Sequence, residues 1–201
     1  MIEKIANKLN VELERALTDL PIGMHDSFKY TTTGNNLCHS VTIWLLGNVI
    51  ASLPGVAYVG VDVRLNRGQG LKFQPDLVGF NKSGQHVVYV DFESPNSSDA
   101  RVPTKDIHPY LAWAKQDDAA PYVIVTSLPD HQAPEWRLLW TSTGNNGPQY
   151  NYAHRNNANK IRENPLKYWT RVWSKELNGY DLSQIVLLDI DGKKVKRVRL
   201  S

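Results

Sequence analysis

Asp76, Asp91, Glu93 and Lys105 all fall within the stretch from Phe73 to Tyr110. Their types and spacing fit a centre that holds a divalent cation and works on phosphate. Three acids converging at a strand end repel one another, and one must take up a proton unless a cation is present. Hard ions such as Mg²⁺ accept carboxylate oxygens and water and complete their shell with substrate phosphate. Such an ion polarises a phosphoryl oxygen, lowers the pKa of bound water and stabilises the leaving oxygen. A nearby lysine adds a positive donor to the scissile phosphate or a partner for the attacking water.

Two strands must position these acids. Phe73–Phe80 and His86–Phe92 read as strands joined by the polar turn 81–85, NKSGQ. Side chains alternate faces along a strand. Tyr89, Asp91 and Glu93 therefore share one face, Val88, Val90 and Phe92 the other, and Gln74, Asp76 and Val78 share a face of the preceding strand. With Phe80 opposite Val87, Asp76 lies opposite Asp91, at a Cβ separation of roughly 5 Å. A slip of one residue would turn Asp76 to the wrong face.

Around this hairpin, apolar residues at spacings of three and four predict an amphipathic helix over 2–20, ended by Pro21 and Gly23. A second helix is expected over 37–53, stopped by Pro54-Gly55, with His39 near its start as a helix-terminus or surface histidine. Residues 56–65 (VAYVGVDVRL) read as the first strand. A helix is expected over 104–115 with Thr104 as its cap and Asp106 in its first turn. The apolar run 121–126 (PYVIVT) reads as a strand buried on both faces. Further on, 135–141 reads as a strand, 142–160 as an exposed loop and 165–177 as a helix. The terminal stretch reads as a hairpin turning at Asp191-Gly192. The class is α/β: a mixed sheet flanked by helices.

At 201 residues the chain is long enough for one domain with a sizeable core. No apolar run approaches the ~18 residues of a membrane span, and the first residues lack the apolar core of a signal peptide. One cysteine, Cys38, excludes an internal disulfide framework and a cysteine-based zinc site. A cytoplasmic protein is the expectation. The net charge is +3, unevenly spread: residues 151–201 hold 11 Lys/Arg against 5 Asp/Glu, the first 150 hold 12 against 15. A basic C-terminal part suits an acidic partner such as nucleic acid.

The order helix, three strands, helix, strand, carrying Pro75-Asp76 and then Asp91-x-Glu93, resembles the PD-(D/E)xK nuclease superfamily. Pro75-Asp76 stands as the PD element and Asp91 as the second acid, while Glu93 occupies the position usually held by lysine. The run from Asp91 through Ser94-Pro95, Ser97, Ser98 and Asp99, followed by Lys105 and Tyr110, is similar to a large bacterial family of uncharacterised restriction-endonuclease-like proteins. The resemblance spans about 37–126. It implies a restriction-endonuclease-like core with an N-terminal helix and a C-terminal extension of helix and hairpin over about 135–201. It also implies a Mg²⁺-dependent DNA endonuclease (Mn²⁺ as substitute) with metal ligands Asp76, Asp91 and Glu93. Lys105 would take over the role of the missing strand lysine. Some relatives carry a further acid on the helix before the first strand; residues 37–53 contain none, and Glu12 or Glu14 would have to substitute.

In the C-terminal third, aromatic residues interleave with basic ones, a pattern suited to phosphate contacts and ring stacking. Arg155, Lys160, Lys193, Lys194, Lys196 and Arg197 are the candidate nucleic-acid contacts. Cutting both strands of a duplex implies a homodimer. The alternatives are a non-catalytic DNA-binding or regulatory protein that keeps the fold, with Glu93 in the lysine position as its support, and a structural component of a larger assembly.

Overall fold

The structure is a computed structural model that describes residues 2–20, 35–66, 71–93, 106–115, 120–126, 174–191 and 193–198. Its centre is a six-stranded mixed sheet. The elements in chain order are α1 (Ile2–Asp19), α2 (Asn35–Ala51), β1 (Tyr58–Val61), β2 (Leu65–Asn66), β3 (Lys72–Phe73), β4 (Leu77–Phe80), β5 (His86–Glu93), α3 (His108–Ala114), β6 (Tyr122–Thr126), β7 (Ile185–Asp191) and β8 (Lys194–Val198). The sheet order is β1-β4-β5-β6-β7-β8, with β2 and β3 forming a separate two-stranded ribbon. Strands β1, β4 and β5 are an antiparallel meander, β5, β6 and β7 run parallel, and β8 returns antiparallel.

Alternation along the strands gives the sheet two apolar faces. Val88, Val90 and Phe92 of β5, with Val123 and Val125 of β6, pack under α1 and α2, which contribute Leu9, Leu13, Leu17, Leu46 and Ile50. The opposite face is aromatic: Phe73, Tyr89 and Tyr122 meet Tyr110 and Trp113 of α3. All five residues of β6 are buried, as expected of a largely apolar central strand. Each fully buried Leu or Val on these faces contributes about 1.5–3 kcal/mol. Gly79 lets α2 sit close: a Cβ there would meet Ile50, Val56 and Val88 side chains at 3.0–3.1 Å. Among the described residues no helix is long and apolar enough to cross a membrane.

Several expected boundaries move, each for a local reason. The first strand ends at Val61 because Asp62 takes a positive φ of 50°, and the chain leaves the sheet to form β2. The expected second strand divides into β3 and β4 around Pro75, which has no N–H to offer a ladder. The helix after β5 begins at His108, with Ile107 rather than Thr104 at its N-cap and Pro109 in its first turn. The C-terminal hairpin continues the sheet instead of extending away from it, because β7 pairs in parallel with β6. Asp191 is the last residue of β7 and pairs with Lys194, so it belongs to the strand and not to the turn of the Asp191-Gly192 reading. The expected strand over 135–141 and loop over 142–160 lie outside the described residues, as does 165–173 of the expected helix.

Candidate functional site

The β4–β5 hairpin brings the first two acids together. Leu77 pairs with Val90, and continuing that register sets Asp76 opposite Asp91. The assumed pairing of Phe80 with Val87 does not occur: Phe80 pairs with His86 across an irregularity after Gly79. The turn explains the offset. Asn81 Oδ1 accepts the amides of Ser83 and Gln85 at 2.9 Å, and Gly84 takes a φ of 77°. This closes a five-residue loop, and the irregularity absorbs the odd residue before it reaches the acids.

The two carboxylates interlock through backbone. The Asp76 amide donates to Asp91 Oδ1 at 2.9 Å, and the Phe92 amide donates to Asp76 Oδ2 at 2.8 Å. Asp91 is only 7 % exposed, and its Oδ2 also accepts the hydroxyl of Tyr122, itself buried in β6. Asp76 is more open, its side chain 21 % exposed. Among the described residues, Oδ1 of Asp76 has no hydrogen-bond partner.

Two contributors were not read from the sequence as site residues. His39, expected as a helix-end or surface residue, projects from α2 to place Nε2 3.5 Å from Asp76 Oδ2, with its ring 6.0 Å from that of Phe92. Nothing in the local sequence of α2 signals this, since the helix meets the strand end only in the packed fold. Tyr122 carried a weak signal. It is the one hydroxyl-bearing ring in an apolar strand, and a buried tyrosine hydroxyl needs a partner.

No family model matches the chain, and no match is found among the curated proteins or the solved structures. The site is therefore read from its own chemistry.

The remaining expected residues divide by position. Glu93 ends β5, its backbone paired with Thr126; its side chain lies outside the described part. Lys105, Arg155 and Lys160 also lie outside the described residues. Tyr110, the aromatic member of the resemblance, is wholly buried, donates to the Ala120 carbonyl at 3.0 Å, and burial pushes its hydroxyl pKa up. On the C-terminal strand, Arg197 forms a two-point ion pair with Glu3, and Lys194 lies 3.9 Å from Glu14. Lys193 is exposed at the hairpin. Lys196 is exposed and pairs in register with Asp189. Glu12 and Glu14 do not reach toward Asp76. Glu12 is nearly buried and bonded to Lys8 at 2.6 Å, and Glu14 Oε1 accepts the Val195 amide at 2.9 Å.

A second buried polar pair lies farther along the sheet. Thr126 donates to Asp189 Oδ1 at 3.0 Å, at the carboxyl ends of β6 and β7. Register runs from Glu93 through Thr126 and Asp189 to Lys196, so the polar positions of four strands fall in one row. Among the described residues no group of three or more His, Cys, Asp or Glu side chains stands close enough to hold a metal ion. What the described chain offers is a pair of hard oxygen donors. That donor set suits Mg²⁺, which commonly takes one or two carboxylates and fills the rest of its shell with water and phosphate.

Proposed function

We propose that the chain is a metal-dependent DNA endonuclease of the PD-(D/E)xK kind, hydrolysing phosphodiester bonds at the Asp76–Asp91 strand ends. The observation that carries this reading is the pairing itself. Two carboxylates, one leading into β4 and one on β5, are held by the backbone amides of Phe92 and Asp76, and that of Asp76 presents an oxygen without a partner among the described residues. Holding two acids side by side is unfavourable without a positive partner. A bound Mg²⁺ or Mn²⁺ would supply that charge and polarise the phosphate. Asp76 and Asp91 would hold the ion, with Glu93 as the third acid, and Lys105 would bind the scissile phosphate. The exposed Lys193, together with Arg155 and Lys160, would contact the DNA backbone; Lys194 and Arg197 are already engaged by Glu14 and Glu3. The proposed active form is a homodimer with one centre for each strand.

The test is an assay on plasmid, linear duplex and single-stranded DNA with Mg²⁺ or Mn²⁺. Cleavage should require the metal and disappear in Asp91→Ala. Intact DNA under all of these conditions removes the enzyme reading. The low exposure of Asp91 and the hydrogen bonds on both of its oxygens favour one other reading, a binding protein that keeps the acids for structure. That protein would bind DNA without cutting it and keep its affinity in Asp76→Ala and Asp91→Ala.

A further inference from the structure

We infer that Tyr122 sets the ion selectivity of the acidic pair, favouring Mg²⁺ over Ca²⁺ by fixing the plane of the Asp91 carboxylate. The inference rests on the metal-centre reading and adds a specificity determinant to it.

Asp91 is clamped from both sides of its strand. The Asp76 amide, leading into β4, binds Oδ1, and the Tyr122 hydroxyl, from β6, binds Oδ2. A carboxylate oxygen has about two lone pairs, so at least one on each oxygen is already committed to the protein. Tyr122 cannot follow a rotation of Asp91. It is fully buried, with its ring edge-on to Phe73 at 5.4 Å and 4.8 Å from Tyr110. The backbone of β6 beneath it lies between two parallel neighbours, β5 and β7.

Ca²⁺ takes six to eight oxygens in flexible geometry and often engages a carboxylate through both oxygens. Mg²⁺ takes six ligands in a strict octahedron and is content with single oxygens from one or two acids. A carboxylate that cannot turn therefore suits the smaller ion, and losing the tyrosine hydroxyl should let Asp91 rotate to meet the larger one.

The experiment measures displacement of Mn²⁺ by Mg²⁺ and by Ca²⁺, followed by electron paramagnetic resonance, in the full-length protein. In Tyr122→Phe, Ca²⁺ should gain on Mg²⁺ by about ten-fold, the lower end of what loss of a supporting hydrogen bond does at metal sites. Tyr110→Phe removes a hydroxyl from the same aromatic cluster without touching an acid, and should leave the ratio as in the wild type. If Tyr122→Phe does not fold, Asp91→Glu moves the carboxylate off the hydroxyl by one methylene and should relax the ratio in the same direction. An unchanged ratio in the folded variant overturns the role of Tyr122 while leaving the metal centre standing. A wild-type protein that binds none of the three ions overturns both.

Discussion

Helix α1 and the β4–β5 strand ends hold the same functional group in opposite settings. On α1, Glu3 is met by Arg197, Glu12 by Lys8 and Arg15, and Glu14 by the Val195 amide with Lys194 nearby. At the strand ends, Asp76 is met by a backbone amide and by the half-exposed imidazole of His39, and among the described residues no lysine or arginine reaches it. The α1 acids are spent on architecture. Glu3 and Glu14 fasten the helix to β8, the edge strand of the sheet, Glu14 by supplying an acceptor to its backbone, while Glu12 is paired within the helix itself. The strand-end acids are positioned as carefully, but Asp76 keeps an oxygen without a partner among the described residues. The contrast locates the candidate site better than acidity alone, because a count of carboxylates favours neither region.

The largest effect that could break this contrast is on chemistry. Asp91→Asn should lower metal-dependent cleavage on the order of 10²–10³-fold, the cost of removing one well-placed electrostatic group. Glu14→Gln should leave cleavage and Mn²⁺ affinity at wild-type values. Initial rates on plasmid DNA together with Mn²⁺ titrations decide it. Equal losses in the two variants would mean that the α1 acids belong to the same centre, and the division would collapse.

The elements behind this contrast were unequally legible in the sequence. The placement of Asp76 opposite Asp91 follows from period-two alternation and one hairpin, both local, so it could be written down in advance. The apolar run 121–126 likewise could only be a buried strand. The turn defeated the same reasoning, because the Asn81 side chain bonds two amides and the resulting offset depends on geometry that alternation does not encode. Long-range facts were not legible at all. His39 reaches Asp76 only once α2 has packed on the sheet. Glu14 caps Val195 from 181 positions away in the chain. The hairpin of β7 and β8 could be recognised as a hairpin, but nothing within it says that it will dock in parallel on β6. Charge counting misled for a related reason. The basic surplus near the C-terminus is partly answered by acids of α1, so Lys194 and Arg197 are not simply cations awaiting a partner.

The next effect down is on stability and runs the other way. Glu14→Ala removes a charged acceptor from the partly buried Val195 amide, and should lower unfolding free energy by about 1–2 kcal/mol. Asp76→Asn should change it less, since an amide still carries an acceptor oxygen for the Phe92 N–H and relieves the repulsion with Asp91. Urea denaturation with a shared slope would measure both. A larger loss for Asp76→Asn would mark the strand-end pair as architectural, in the same way as α1, and would favour the non-catalytic reading.

The smallest effect concerns pH. The hydrogen bond from Arg197 holds the Glu3 carboxyl below its ordinary pKa of 4.5, and the bond from Lys8 does the same for Glu12 against the opposing pull of burial. A carboxyl whose pKa is depressed on folding contributes stability that is present above its unfolded pKa and lost as pH falls through the folded one. The contribution of these pairs to the urea midpoint should therefore be level above about pH 5 and decline below 4.5 as they are discharged. Glu3→Gln should start slightly lower at neutral pH and converge on the wild-type curve as acid titrates the pair away. Because Glu3 and Arg197 are both substantially exposed, 0.5 M salt should shrink the neutral-pH gap as well. A gap that does not narrow at all as the pH falls below 4.5 would mean that Glu3 acts through packing rather than charge, and the ionic fastening of α1 to β8 would then rest on Glu14 and Lys194.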